Sequence, residues 1–159
     1  MPRMSFWKRL ECCPGSQAYG IDLKGLERDS KDRSQICIQH ILYDVDDLRR
    51  FFGWIAQGVV PRPASLSILW VLGRYSTNGN SDSAEMNQVA TALQALGTDI
   101  PEQVMVCAFG LGQIPCLVEA AKCGWDCRVG FENGWWKQDG SIAKDNADLL
   151  RDLCDQLGL

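Results

Sequence analysis

From Ser34 to Leu159 the chain alternates four times between a short apolar run and a segment whose apolar residues recur every three or four positions. Few architectures accept that pattern. A strand buried on both faces reads as a continuous apolar run, and amphipathic helices must cover it. The first run, 35–45 (QICIQHILYDV), is dense enough in Cys37, Ile38, Ile41 and Leu42 for a buried strand. Asp46 is placed to cap a helix carrying Leu48, Phe51, Phe52, Ile55 and Ala56, stopped at Gly58. The second strand is 64–73; a loop rich in Gly, Ser and Asn follows, then a helix from about Asp82 closed by Gly97. The third strand, 103–110, leads into a helix with Ile114, Leu117, Val118 and Ala121 before Gly124. The fourth, 126–133, precedes a last helix with Ile142, Leu149, Leu150, Leu153 and Leu157. Four βα units predict an α/β fold with a parallel sheet. Either a small doubly wound sheet or half of a (β/α)8 barrel satisfies them.

Two units divide the chain. Residues 34–159 carry the alternation, and residues 1–33 are polar, charged and weakly periodic, an irregular N-terminal extension. At 159 residues there is length for one core. The net charge of −4 would repel phosphates, so nucleic acid is not an expected partner. The apolar run from Leu66 stops far short of the roughly 20 residues of a membrane span, and the N-terminus lacks a signal-peptide core. A cytoplasmic location is expected. The eight Cys then read as free thiols, most of them inside apolar runs, rather than as a disulfide framework. The single His, His40, lies among apolar residues and reads as a packed core side chain. No His-rich metal site can be assembled from one His.

In parallel α/β folds, chemistry sits at the C-terminal ends of the strands. There the chain places Tyr43–Asp44, Gly73–Tyr75, Phe109–Gln113 and Arg128–Asn133. Arg128 and Glu132, four apart along the fourth strand, are expected on one face. Three readings stay open for them: a structural ion pair, a carboxylate metal ligand at Glu132, and an anion holder at Arg128. Gly110, Gly112 and Gln113 form a strand-to-helix turn whose backbone N–H groups suit a phosphate, although such turns are also common connectors. The 73–80 loop reads equally as a lid or a connector. Trp135 and Trp136 wall a pocket or cover the rim.

At these residues the chain resembles the C-terminal half of the β-keto acid cleavage enzymes, the family that includes 3-keto-5-aminohexanoate cleavage enzyme. The likeness is most specific over 107–150 (CAFGLGQIPCLVEAAKCGWDCRVGFENGWWKQDGSIAKDNADLL), and ILYDVDDL at 41–48 resembles the family's fifth strand. It covers about residues 36–159. The resemblance implies the last four βα units of a (β/α)8 barrel. It also implies acyl exchange between a β-keto acid and acetyl-CoA, giving acetoacetate and a new CoA thioester, with zinc as the metal. By that resemblance Glu132 is the carboxylate metal ligand and Arg128 holds and activates the keto acid. Asn133 takes the position of an acidic residue proposed as base, and an amide cannot accept the proton. The family's two His ligands belong to an early strand with no counterpart in this sequence. The chain is therefore expected to be a truncated form, inactive alone. It would pair with a second copy or with a complementing N-terminal half-barrel. Two rival readings stand beside this one: a self-contained α/β domain binding CoA or a nucleotide, and a non-catalytic fragment docking through open sheet edges.

Overall fold

The computed structural model describes residues 38–62 and 65–159. The expected extension at 1–33, Cys12, Cys13 and Cys37, and the starts of the first two predicted strands lie outside the described residues. Four strands, β1 (Gln39–Leu42), β2 (Ser67–Leu72), β3 (Gln103–Ala108) and β4 (Asp126–Cys127), pair in chain order into one parallel sheet. Helices α1 (Val45–Ala56), α2 (Ser83–Gln94), α3 (Gln113–Lys122) and α4 (Asn146–Leu157) follow them in turn. The predicted alternation is thus the observed one.

Local chemistry explains where each helix starts and stops. The cap of α1 is Asp44 rather than the expected Asp46: its carboxylate accepts from the Asp47 N–H at 2.7 Å, and Asp46 falls inside the first turn. Asp82 caps α2 with a reciprocal box, taking the Ala84 and Glu85 N–H groups while Glu85 reaches back to the Asp82 N–H. Asp145 caps α4, which begins after Ile142, so that residue is exposed rather than helical. Gly158 ends α4 in the left-handed region that a Cβ disfavours.

The two faces of the sheet carry different partners. Because strand side chains alternate, Ile68, Trp70 and Leu72 of β2 share a face with Val104, Val106 and Ala108 of β3. That face meets the buried stripes of all four helices: Leu48 and Phe51, Met86, Val89 and Leu93, Ile114 and Leu117, Leu149 and Leu153. The opposite face holds a separate cluster, Leu69, Val71 and Cys107 with Met105 and Phe109, and no helix residue belongs to it among the described residues. His40 faces the helices, its ring 4.4 Å from that of Phe51, and burial lowers its pKa. The packed reading of His40 holds.

Trp70 is 1% exposed at the centre of the helix-side core. Trp70→Ala is expected to cost about 3–5 kcal/mol, and Asp82→Ala about 1 kcal/mol through the lost cap. Urea denaturation of both variants checks the order and size of the two effects.

Candidate functional site at the strand ends

The fourth strand is shorter than its apolar run predicts, and the reason lies far away in sequence. The Arg128 N–H still donates to Val106 O at 2.8 Å, so the backbone runs beside β3 that far. It then curls: Gly130 N–H donates to the Gln113 side-chain oxygen at 3.2 Å, and Asn133 N–H returns to Gly130 O at 3.0 Å. Gln113 is fully buried and donates from its amide nitrogen to Gly134 O at 3.0 Å. One side chain thereby closes both ends of the 130–134 turn. A Cβ on Gly130 would collide with the Glu132 carboxylate, and one on Gly134 would lie 2.7 Å from Gly110 O. The backbone clash makes glycine necessary at 134, whereas at 130 the exposed Glu132 side chain can move aside.

That curl, and not an extended strand, brings Arg128 and Glu132 together. The Arg128 guanidinium donates to the Glu132 carboxylate at 3.2 Å, with the two side chains 47% and 51% exposed. An ion pair this wet contributes at most about 1 kcal/mol, so the fold does not depend on it. Its partner contact uses one donor of a guanidinium that has five, which leaves Arg128 able to grip a further anion. Beside it, Asn133 is 6% exposed and its Nδ2 has no hydrogen-bond partner among the described residues. A buried donor left unpaired costs about 1–3 kcal/mol, a feature that folds retain mainly at functional places.

The Gly110–Gly112 turn is tied into the same assembly. Gly110 N–H donates to Asn133 O at 2.8 Å, and Leu111 N–H donates to the Asn80 side chain at 2.9 Å. The Ser81 N–H and hydroxyl both donate to Phe109 O at 2.9 Å. Gly110 is thereby joined to Asn133, and Gln113 to Gly130 and Gly134, while Gly112 lies against Ser81. The donors of Gly110 and Leu111, and both ends of the Gln113 amide, are committed within the fold. The 73–80 loop is fastened at its base, where the Ser76 hydroxyl donates to Asn80 O at 2.8 Å and its N–H to Gly73 O. Trp135 and Trp136 stack with centroids 6.0 Å apart, and the Trp135 indole N–H donates to Phe131 O.

Sequence reasoning named Arg74 only as part of the 73–75 strand end and Cys107 only as a thiol in an apolar run, and the fold gives each of them specific neighbours. Arg74 lies over the Phe109 ring, 5.2 Å from its centroid, and Cys107 lies on the helix-free face within reach of the Arg128 and Glu132 charges. Burial pushes the Cys107 thiol up to about 11, with Arg128 pulling it down and Glu132 pushing it further up. Burial likewise raises Cys127 to about 12. Both are neutral thiols at physiological pH. As for zinc, no group of three or more His, Cys, Asp and Glu able to hold a metal ion is present among the described residues. Glu132, paired with Arg128, does not by itself fit such an ion, since catalytic zinc takes about three protein ligands. No helix of the described residues is long and apolar enough to cross a membrane.

Two outcomes are expected from this geometry. Gln113→Leu strips partners from two buried backbone groups and should lower stability by about 2–4 kcal/mol, read by thermal denaturation. Under mildly alkaline alkylation, exposed Cys123 should be modified well before Cys107 and Cys127, which mass-spectrometric mapping can follow.

No curated protein matches the sequence. A family model described as beta-keto acid cleavage enzyme matches residues 27–158, beginning inside the segment that periodicity set apart as an extension. The match takes in every described strand and helix and the whole Arg128–Asn133 turn, and on that footing the chain belongs to the beta-keto acid cleavage enzyme family.

Proposed function

We propose that this chain carries the Arg128–Glu132 side of a site that exchanges acyl groups between a β-keto acid and acetyl-CoA. The observation that carries the reading is the solvent-accessible Arg128–Glu132 pair, held at a strand end by the buried Gln113 clasp within a family-matched block. In the exchange, the bond between the keto carbon and the carboxymethyl group breaks. The acyl group passes to CoA sulfur, and the acetyl group joins the carboxymethyl fragment to give acetoacetate. Arg128 binds the keto acid carboxylate through donors that Glu132 does not use, and Glu132 fixes the orientation of the guanidinium. Asn133 offers an N–H and no base, so a proton must be taken by a group other than Asn133. Gly110 and Gly112 let the 79–81 segment close directly over this turn, since a Cβ on either would meet Asn80 or Ser81, so acetyl-CoA in this reading approaches from another side.

The one-sided placement of the helices supports reading the sheet as half of a (β/α)8 barrel, since a doubly wound sheet has helices on both faces. In such a barrel the cluster of Leu69, Val71 and Cys107 faces the interior. Residues outside those described then complete the wall, together with any zinc ligand set to which Glu132 contributes. The chain alone is inactive in this reading, and its place is the cytoplasm.

Acetoacetate titration tests the proposal directly. Arg128→Ala is expected to weaken binding about tenfold or more, the loss of a charge-assisted contact. Equal affinity of the wild type and this variant would remove Arg128 from the site. Metal content and mass of the purified chain, read with an acyl-exchange assay, test completion. A metal-free, inactive monomer fits the reading, and an active monomer defeats it.

A further inference from the structure

Among the described residues, Arg49, Arg50, Arg62, Arg128 and Arg151 each lie within 4.0 Å of an Asp or Glu, and Arg74 does not. Arg74 is exposed, follows the end of β2, and rests its guanidinium over the Phe109 ring at 5.2 Å. A cation–π contact at an exposed position contributes about 0.5–1 kcal/mol. That biases the side chain toward this position by a few-fold, and it consumes none of the five N–H donors. A positioned guanidinium without a carboxylate is an anion receptor in waiting.

Its location joins it to Arg128. Phe109 packs on the helix-free cluster with Cys107, whose register partner on β2 is Val71. Arg128 lies alongside β3 on the other side, through its N–H to Val106 O. Arg74 and Arg128 therefore flank β3, separated across the sheet by two strand spacings, at least about 10 Å at the backbone, with Arg74 further toward the strand ends, so one ligand touching both must be extended. The charge of Arg74 is felt at Tyr43 at the end of β1, whose ring packs at a tilt against Tyr75, centroids 4.9 Å apart. The two cations thus border one patch of the sheet, with only Arg128 balanced by a carboxylate.

We propose that Arg74 is a second oxyanion-binding residue of this site, which selects ligands carrying an anionic group beyond the carboxylate held by Arg128. The proposal rests on the reading of Arg128 given above. Two sources share the chemistry: a distal carboxylate on the keto acid, and a phosphate of coenzyme A.

Arginine side-chain Nε–H resonances of the full 159-residue chain, assigned with Arg74→Ala and Arg128→Ala, separate the cases. The probes are acetoacetate, 3-oxoadipate and coenzyme A at constant ionic strength. If the distal carboxylate is the source, 3-oxoadipate moves the Arg74 and Arg128 signals with one saturation curve. Arg74→Ala then weakens 3-oxoadipate about tenfold and leaves acetoacetate within about twofold. If phosphate is the source, coenzyme A moves Arg74 saturably and 3-oxoadipate does not. An Arg74 signal unmoved by both probes while Arg128 responds to acetoacetate overturns the proposal and leaves the keto acid reading standing. An Arg74 response without any Arg128 response to a keto acid defeats the reading of Arg128 and, with it, the proposal that rests on it. Silence of both arginines defeats both.

Discussion

The amide of Gln113 reaches two backbone groups of one turn, the Gly130 N–H and the Gly134 carbonyl, in a place from which water is excluded. Everything at the strand ends inherits its position from that clasp. It stops β4 early, folds Glu132 back toward Arg128, and brings Asn133 O against the Gly110 N–H. Because both amide ends are used, neither a shorter polar residue nor an apolar isostere reproduces the arrangement. Gln113 begins α3, whose Ile114 and Leu117 lie in the main core, so the turn is anchored to the most buried part of the molecule.

The charged groups fall into two populations that physical chemistry treats differently. On the helices, Arg49–Asp46, Arg50–Asp47, Lys122–Glu119 and Arg151–Asp148 are pairs three residues apart on exposed surfaces. They add a few tenths of a kcal/mol each and need no further account. Arg128–Glu132 and Arg74 sit outside any helix, at strand ends, one pair and one unpaired cation bordering the same apolar patch. Stability does not require charge there. The ligand recognition proposed above would.

The sequence made the alternation of strands and helices legible because it rests on local periodicity, and Asp82 and Gly124 declared two helix ends through chemistry visible within four residues. Asp44 was harder to read. Asp44, Asp46 and Asp47 all offer a capping carboxylate, and only the path of the chain after β1 decides among them. The end of β4 could not be read locally at all, since residues 126–133 look strand-like and the group that curls them lies 17 residues upstream. The meeting of Arg128 with Glu132 was anticipated from strand periodicity and is reached by a turn instead. Arg74 was placed at a strand end from the sequence, but its contact with Phe109 was not legible there for a related reason. A lone Arg in a polar loop looks ordinary until the fold sets Phe109 beneath it.

The division of the sheet into two faces has a consequence for how such a chain can change over time. Alternate residues of β2 and β3 answer to different demands: Ile68, Trp70, Val104 and Val106 to packing against helices, Leu69, Val71, Met105 and Cys107 to whatever occupies the other side. Substitutions in the second set can reshape a binding surface without passing through the core that keeps the molecule folded. Specificity and foldability are written on interleaved positions of the same strands. Each can drift while the other is held by selection.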